Sequence, residues 1–349
     1  MVSLKKVKKI AVYTLEGHSS NKYIERMIEA IKYAYPSVKI TAFPRARHIL
    51  SIYNYDFVWL NWFENIGSKK RLRNIITKII ILIVIKIMGI KIISTYHNIQ
   101  PHEYKNTFFE KLLFYMTFRC ANKIIVLSDD SKKYLFKRFG KLIISKICLV
   151  PHPSYECKPK QKNKINYKFS VLFFGQLRPY KNIELIFKVA KIFPTIDFTI
   201  AGQPINEIYK KELISSSENL SNVKLIPQYL SESDIDSLID QNSIIMLPYN
   251  INSSLNSGVV IHAICKGINV IVPTIGTVNQ LINSNAVFKY SYKTEVEHLE
   301  QLYKVLTLAQ EEYSKKYDKF LERINCLHNE VINNQSPMAL SKYVKKVFQ

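Results

Sequence analysis

The chain has 349 residues, 47% of them hydrophobic, and carries 50 Lys and Arg against 27 Asp and Glu, a net charge of +23. That length exceeds one ordinary core and suits two domains of similar size, and the hydrophobic content excludes a disordered chain. Its five cysteines (Cys120, Cys148, Cys157, Cys265, Cys326) are odd in number and lack C-x-x-C spacing, which argues against a disulfide framework or a zinc site and fits a reducing cytoplasm.

Short β-rich runs separated by helical patterns recur along the chain. In the first half they are Ile10–Thr14, Val38–Phe43, Phe57–Trp62, Lys91–Tyr96, Lys123–Ser128 and Cys148–Pro151. A polar, lysine-rich stretch follows, and the pattern restarts with Val171–Phe174, Phe198–Ala201, Val223–Pro227, Ile244–Pro248, Asn269–Val272 and Val287–Tyr290. Such alternation predicts an α/β protein of two doubly wound Rossmann-like domains facing across a cleft, with a ligand between the carboxyl ends of their strands. The expected boundaries are 1–157, a linker 158–168, a second domain 169–335, and a last helix 336–349 crossing back to the first.

Charge is unequally shared between the halves. Residues 1–160 hold 29 Lys and Arg against 10 Asp and Glu, a net +19; the remainder holds 21 against 17, a net +4. The basic half is expected to meet an anion: a phospholipid surface, a lipid-linked phosphate or nucleic acid. Residues Met1 to Lys6 lead directly into a strand without an apolar signal core, so secretion is not expected.

Taken in order, the first half offers four local features. Gly17, His18 and Asn21 follow the first strand, where a glycine lets backbone approach a sugar or phosphate. The helix Arg71–Ile90 contains an apolar run, Ile79–Ile85, flanked by Lys78 and Lys86; seven residues do not span a bilayer, and with Arg71 these lysines predict a wet edge or a helix lying on lipid. In the helix Asn106–Ala121, Phe114 and Phe118 share a face with Lys111, a pattern suited to a membrane interface. Finally Thr95–Glu103 sets His97, His102 and Glu103 just after a strand; His97 or Glu103 is the candidate base that takes a proton from an acceptor hydroxyl. The spacing of His97, His102 and His152 lacks the helical i, i+4 pattern of a metal site.

The second half carries the sharpest motif. Strand Val171–Phe174 delivers the chain to Gly175, followed by Arg178 and Lys181 and then a helix start, which is a turn suited to a diphosphate. Further on, Ser257-Gly258-Val259 opens another helix whose free N–H groups would face the same anion.

The ordered set resembles the nucleotide-sugar domain of GT-B glycosyltransferases, group 1 and family-4-like, which build bacterial surface polysaccharides. It comprises the Gly175–Lys181 turn, Ala201-Gly202, the Asp234–Asp240 helix before Ile244–Tyr249, and Ser257–Pro273. The resemblance implies that Arg178, Lys181, Gly175, Ser257, Gly258 and Val259 hold the donor diphosphate, and that Tyr249, Asn256 and His262 contact its nucleoside or sugar. It implies an acceptor-side loop at Gly17, His18 and Asn21, and makes Thr95–Glu103 similar to an HNxxPHE-like loop. Retaining members carry two glutamates eight positions apart; this chain has Ser254 and His262 there, which leaves the stereochemical outcome open.

No cofactor is expected beyond the nucleotide-sugar substrate, and no metal, since no Asp-x-Asp signature stands at a strand end. The implied function is transfer of a sugar to a lipid-linked glycan in capsule, O-antigen or exopolysaccharide synthesis. The enzyme would be cytoplasmic and bound peripherally to the anionic inner face of the cell membrane, with no nucleic-acid partner. A nucleotide-sugar epimerase of similar architecture is the alternative enzyme class. A nucleic-acid-binding protein would need exposed aromatics interleaved with basic residues or a recognition helix, and neither is seen.

Overall fold

The computed structural model describes residues 9–13, 22–66, 70–99, 107–156 and 168–349. The chain divides into two units, Met1–Pro153 with Asn334–Gln349, and Ser154–Asn333.

In the first unit the strands are β1 (Lys9–Val12), β2 (Lys39–Ala42), β3 (Phe57–Asn61), β4 (Lys91–Tyr96), β5 (Lys123–Val126) and β6 (Ile147–Leu149). They form one parallel sheet in the order β2-β1-β3-β4-β5-β6. β3 is buried at every position, as a parallel strand covered on both faces must be. Helices α1 (Lys22–Ala34), α2 (Arg71–Ile87), α3 (Phe108–Cys120) and α4 (Asp129–Phe139) cover it. α3 starts at a capping box, with Thr107 and Glu110 each satisfying the other's backbone N–H. α4 is capped by Ser128, whose hydroxyl accepts from Ser131 N, so Asp129 and Asp130 lie inside the first turn instead of capping it.

In the second unit β7 (Ser170–Phe174), β8 (Asp197–Ala201), β9 (Val223–Ile226), β10 (Ile244–Met246), β11 (Asn269–Pro273) and β12 (Phe288–Tyr290) build another parallel sheet, in the order β12-β11-β10-β7-β8-β9. All twelve strands fall where the sequence pattern places them, within a residue or two at the ends. The helices are α5 (Ile183–Ile192), α6 (Glu207–Ser217), α7 (Glu232–Gln241), α8 (Gly258–Cys265), α9 (Gly276–Asn279), α10 (Glu295–Lys315) and α11 (Tyr317–Gln335). Arg323 grips buried Glu312 with two hydrogen bonds, of 2.6 and 2.9 Å, and so joins α11 to α10.

The last helix, α12 (Pro337–Val347), belongs to the first unit and packs on α1, burying Leu340, Val344, Val347 and Phe348 beside Ile24, Met27 and Ile31. Ser336 caps it and Pro337 occupies the first turn, where a missing N–H costs nothing.

Two expectations about the surface of the first unit are overturned. Phe114 and Phe118 are at most 1% exposed: Phe118 packs edge-on to Tyr96 at 5.4 Å, and the Arg138 guanidinium lies 4.1 Å over the Phe114 ring. They are core residues, and of that trio Lys111 alone is exposed. The large hydrophobic residues of α3 that reach solvent are Phe108, Phe109 and Tyr115. Nor do Arg71, Lys78 and Lys86 share a wet stripe: Lys78 points inward, and Arg71 is ion-paired with buried Glu110. Among the described residues no helix is long and apolar enough to cross a membrane.

Candidate active site

In each sheet the strand order reverses once, between β1 and β3 in the first unit and between β7 and β10 in the second, and the crevice beyond the carboxyl ends at such a switch is where α/β sheets bind ligands. The predicted residues that lie within the described structure gather at these two places.

In the second unit β7 ends at Gly175, whose φ of +117° is open to glycine and strained for other residues. Gly175 N donates to Ala201 O at 3.1 Å, and Leu177 N donates to Gln203 O at 2.9 Å, so the turn is fastened to the end of β8. A single 3-10 turn, Pro179–Lys181, then leads into α5. It folds Lys181 back over Gly175: a Cβ built on Gly175 would lie 3.3 Å from Lys181 Nζ and 3.7 Å from Val259 Cγ2. Lys181, six residues on, and Val259, far away in sequence, therefore meet at Gly175.

Lys181 is only 7% exposed, and its Nζ lies 5.6 Å from the Tyr249 ring centre and 5.7 Å from that of Phe173. Burial, and then the like charge of nearby Arg178, lower its pKa to about 7. Neither cation has an ion-pair partner among the described residues. An anion placed here would meet a preformed positive cradle.

The loop after β10 closes the other side. Asn250 N donates to Tyr180 O at 3.0 Å, tying it to the Lys181 turn. Tyr249 is buried, its ionisation pushed up by burial, and accepts a hydrogen bond from Ser257 Oγ at 3.4 Å. Ser257 caps α8 by accepting from Val260 N, and its own N–H donates to Thr277 Oγ1 at 2.8 Å. Gly258 is the first residue of α8 and Asn256 is half-buried just before it. One helical turn on, His262 stacks on Tyr155 with ring centroids 4.8 Å apart and meets Phe174 edge-on at 5.6 Å. Ser254, at the position of the first family glutamate, is buried, and its hydroxyl has no partner among the described residues.

In the first unit His97 follows β4 and is buried. Its Nε2 is hydrogen-bonded to the Asn61 side chain at 3.2 Å, which fixes the ring against the end of β3. Trp62 stacks on the imidazole at 4.0 Å, and Tyr23 meets it edge-on at 4.9 Å. His152 lies 5.3 Å from the same Tyr23 ring; burial lowers its pKa to about 4, and it bonds to Pro153 O. Glu103, Gly17, His18 and Asn21 lie outside the described residues.

Sequence reasoning missed the support beneath His97. Trp62 has a φ of +48°, unusual for a bulky residue and costing of order 1 to 3 kcal/mol. Lys78, reaching in from α2, donates 2.7 Å bonds to Phe63 O and Asn65 O and so fixes the Trp62–Asn65 turn. Beside it Glu64 is raised to about 7 by burial, while Lys78 is lowered to about 8 for the same reason. Polar Asn61 and Glu64 around Trp62-Phe63, directly after an apolar strand, were the available signal. The amide nitrogen of Asn61 is buried without a partner among the described residues.

Comparison with known proteins agrees with this layout. The family model of glycosyl transferases group 1 matches residues 155–323, nearly the whole second unit. No curated protein matches the chain in sequence. Among solved structures, Anabaena HepE in complex with UDP and glucose superimposes with a TM-score of 0.71 at 13% identity, covering 97% of this chain and 98% of that one. A glycosyltransferase from Rickettsia africae gives 0.67 at 14% identity, over 99% and 98% of the two chains. Sucrose-phosphate synthase from Thermosynechococcus elongatus gives 0.69 at 12% identity, over 98% of each. Residues 155–323 thus match the group 1 glycosyl transferase family model, and the chain has the GT-B fold of these solved structures.

Proposed function

We propose that the chain transfers a sugar from a nucleoside-diphosphate sugar, bound by the second unit, to a lipid-linked glycan bound by the first, in bacterial surface-polysaccharide synthesis. The observation that carries the donor half of this reading is buried Lys181, set against Gly175 beside Arg178 with no carboxylate paired to either. A departing nucleoside diphosphate gains negative charge, and a cation held in a dry pocket stabilises that charge far better than one in water. The two cations serve here in place of a metal ion. Support for the donor class comes from HepE, whose structures include complexes with UDP and with UDP-glucose.

The acceptor half rests on His97, whose imidazole would take the proton from the attacking hydroxyl, and on the net +19 of residues 1–160, suited to a phosphate-linked lipid at the inner face of the membrane. Tyr249, Asn256 and His262 would select the donor's nucleoside or sugar.

The test is a thermal-shift screen against UDP, GDP, CMP, dTDP and their sugars. A stabilisation by one diphosphate, lost in Lys181→Met and Arg178→Ala, is expected. Equal stabilisation of these variants would overturn the diphosphate assignment, and loss of transfer on treatment with EDTA would overturn the metal-free reading.

A further inference from the structure

The outer face of α2 is aliphatic from end to end. Leu72, Ile76, Ile80, Ile83 and Ile87 are each between 44% and 80% exposed. At 100° per residue they fall within about 80° of one another, a single stripe running about 22 Å along the helix. Arg73 and Lys86, both exposed, flank it on opposite sides. The opposite face, with Ile75, Leu82 and Ile85, is packed in the core, so the stripe is not an edge of that core.

A second apolar group lies beside the start of the stripe. Arg71 in the first turn of α2 is ion-paired with Glu110 in the first turn of α3, and that turn also carries exposed Phe108 and Phe109. Residues 65–102 contain seven Lys and Arg and no Asp or Glu; of these Arg71 pairs with Glu110 and Lys78 turns inward, and the rest are unopposed within that stretch.

We infer that this face of α2, with Phe108 and Phe109, is the surface by which the protein lies on an anionic lipid bilayer. The helix axis would run parallel to the membrane, with the isoleucines entering the acyl boundary and Arg73 and Lys86 on the headgroups. A second copy of the chain fits the same face poorly. Pairing two such helices antiparallel sets Arg73 against Lys86 and pairing them parallel sets each against itself, and the α2 stripe has no Trp or Tyr of the kind that anchors protein interfaces. The inference names the surface for the membrane partner proposed above, and rests on that reading only for which leaflet is met.

The experiment is co-sedimentation of the full chain with vesicles of phosphatidylcholine alone or mixed with phosphatidylglycerol, at low and high salt. Binding to the mixed vesicles that weakens with salt is expected. Ile80→Glu with Ile83→Glu should lower it about tenfold or more, and Arg73→Glu with Lys86→Glu should remove its salt dependence. Ile208→Glu with Ile282→Glu, equally exposed residues of the second unit, should leave it unchanged. The UDP-induced thermal shift, measured on every variant, reports folding and donor binding separately. Absence of wild-type binding to mixed vesicles, undiminished binding by the Ile80 and Ile83 variant, or a solution dimer that this variant dissociates without any vesicle binding would each overturn the inference, whatever the donor result.

Discussion

Trp62 lies flat on His97, the ring centroids 4.0 Å apart and the planes 14° from parallel, and it reaches this position with a left-handed backbone. A strained tryptophan persists only when its surroundings hold it, and here Lys78 grips the carbonyls on either side of Glu64 in the same turn. The stack, together with the Asn61 hydrogen bond, leaves the imidazole one orientation.

Trp62→Gly relieves the backbone and removes the ring. Turnover is expected to fall about a hundredfold, the cost of a small misplacement of a reacting group, with the donor-induced thermal shift unchanged. Trp62→Phe should keep most of the activity. Wild-type turnover in the glycine variant would show that the stack does not position His97.

Lys78→Met leaves Glu64 buried without its neighbouring cation and two carbonyls without their donor. The expected destabilisation in urea unfolding is about 3 kcal/mol, with partial recovery in the double variant Lys78→Met, Glu64→Gln. A loss no larger than that of a surface lysine would mean that water replaces the ammonium.

Gly202 meets Gly175 where β8 and β7 end. A Cβ on Gly202 would sit 1.8 Å from Gly175 O, with φ at +148°. Gly202→Ala is expected to cost about 3 kcal/mol or more and to abolish any nucleotide-induced thermal shift of the wild type, because the peptide displaced is the one Lys181 rests on. Gly89→Ala makes the control: its φ is +71° but nothing lies within 4 Å, so it should cost only about 1 kcal/mol and leave nucleotide binding intact.

Lys181, held near pKa 7, should make donor binding depend on pH. A bound diphosphate favours the charged ammonium, so binding takes up a proton, and nucleoside-diphosphate affinity falls as pH rises above about 7, by at most about tenfold per unit. For the free protein the sign is opposite. Between 7 and the ordinary lysine value near 10.5 the unfolded chain holds a proton that the folded chain lacks, so this residue's contribution to stability rises with pH across that window. Titration calorimetry in buffers of different ionisation enthalpy measures the uptake, and Lys181→Met should show none.

The architecture was legible because parallel strands buried on both faces must be written as short, continuous apolar runs, and Val171–Phe174 and Phe57–Leu60 are such runs. Gly175, Arg178 and Lys181 were legible for a related reason: a strand, a glycine turn and a helix start are local in sequence, and so is the geometry that they make. Contacts between distant segments were not. Nothing in the spacing of Lys181 and Val259 shows that they close on the same glycine, and nothing in Asn61-Trp62 shows that they hold His97. α3 deceived for a different reason. Its helix carries aromatics all round, so periodicity could not choose its buried face; the packing of Tyr96 and Arg138 put Phe114 and Phe118 inside and left Phe108 and Phe109 out.

By itself, then, the sequence determined two parallel α/β sheets, a strand–glycine–helix turn at Gly175 and a basic first half, since each follows from residue order, local backbone preference and charge. Tertiary structure alone decided that Lys78 would be an internal clamp, that Lys181 would be buried and half-neutral, and that α2 would turn its isoleucines to solvent. Burial of a side chain depends on what other elements place beside it, and it is burial that sets both a lysine's proton affinity and a helix's outward face.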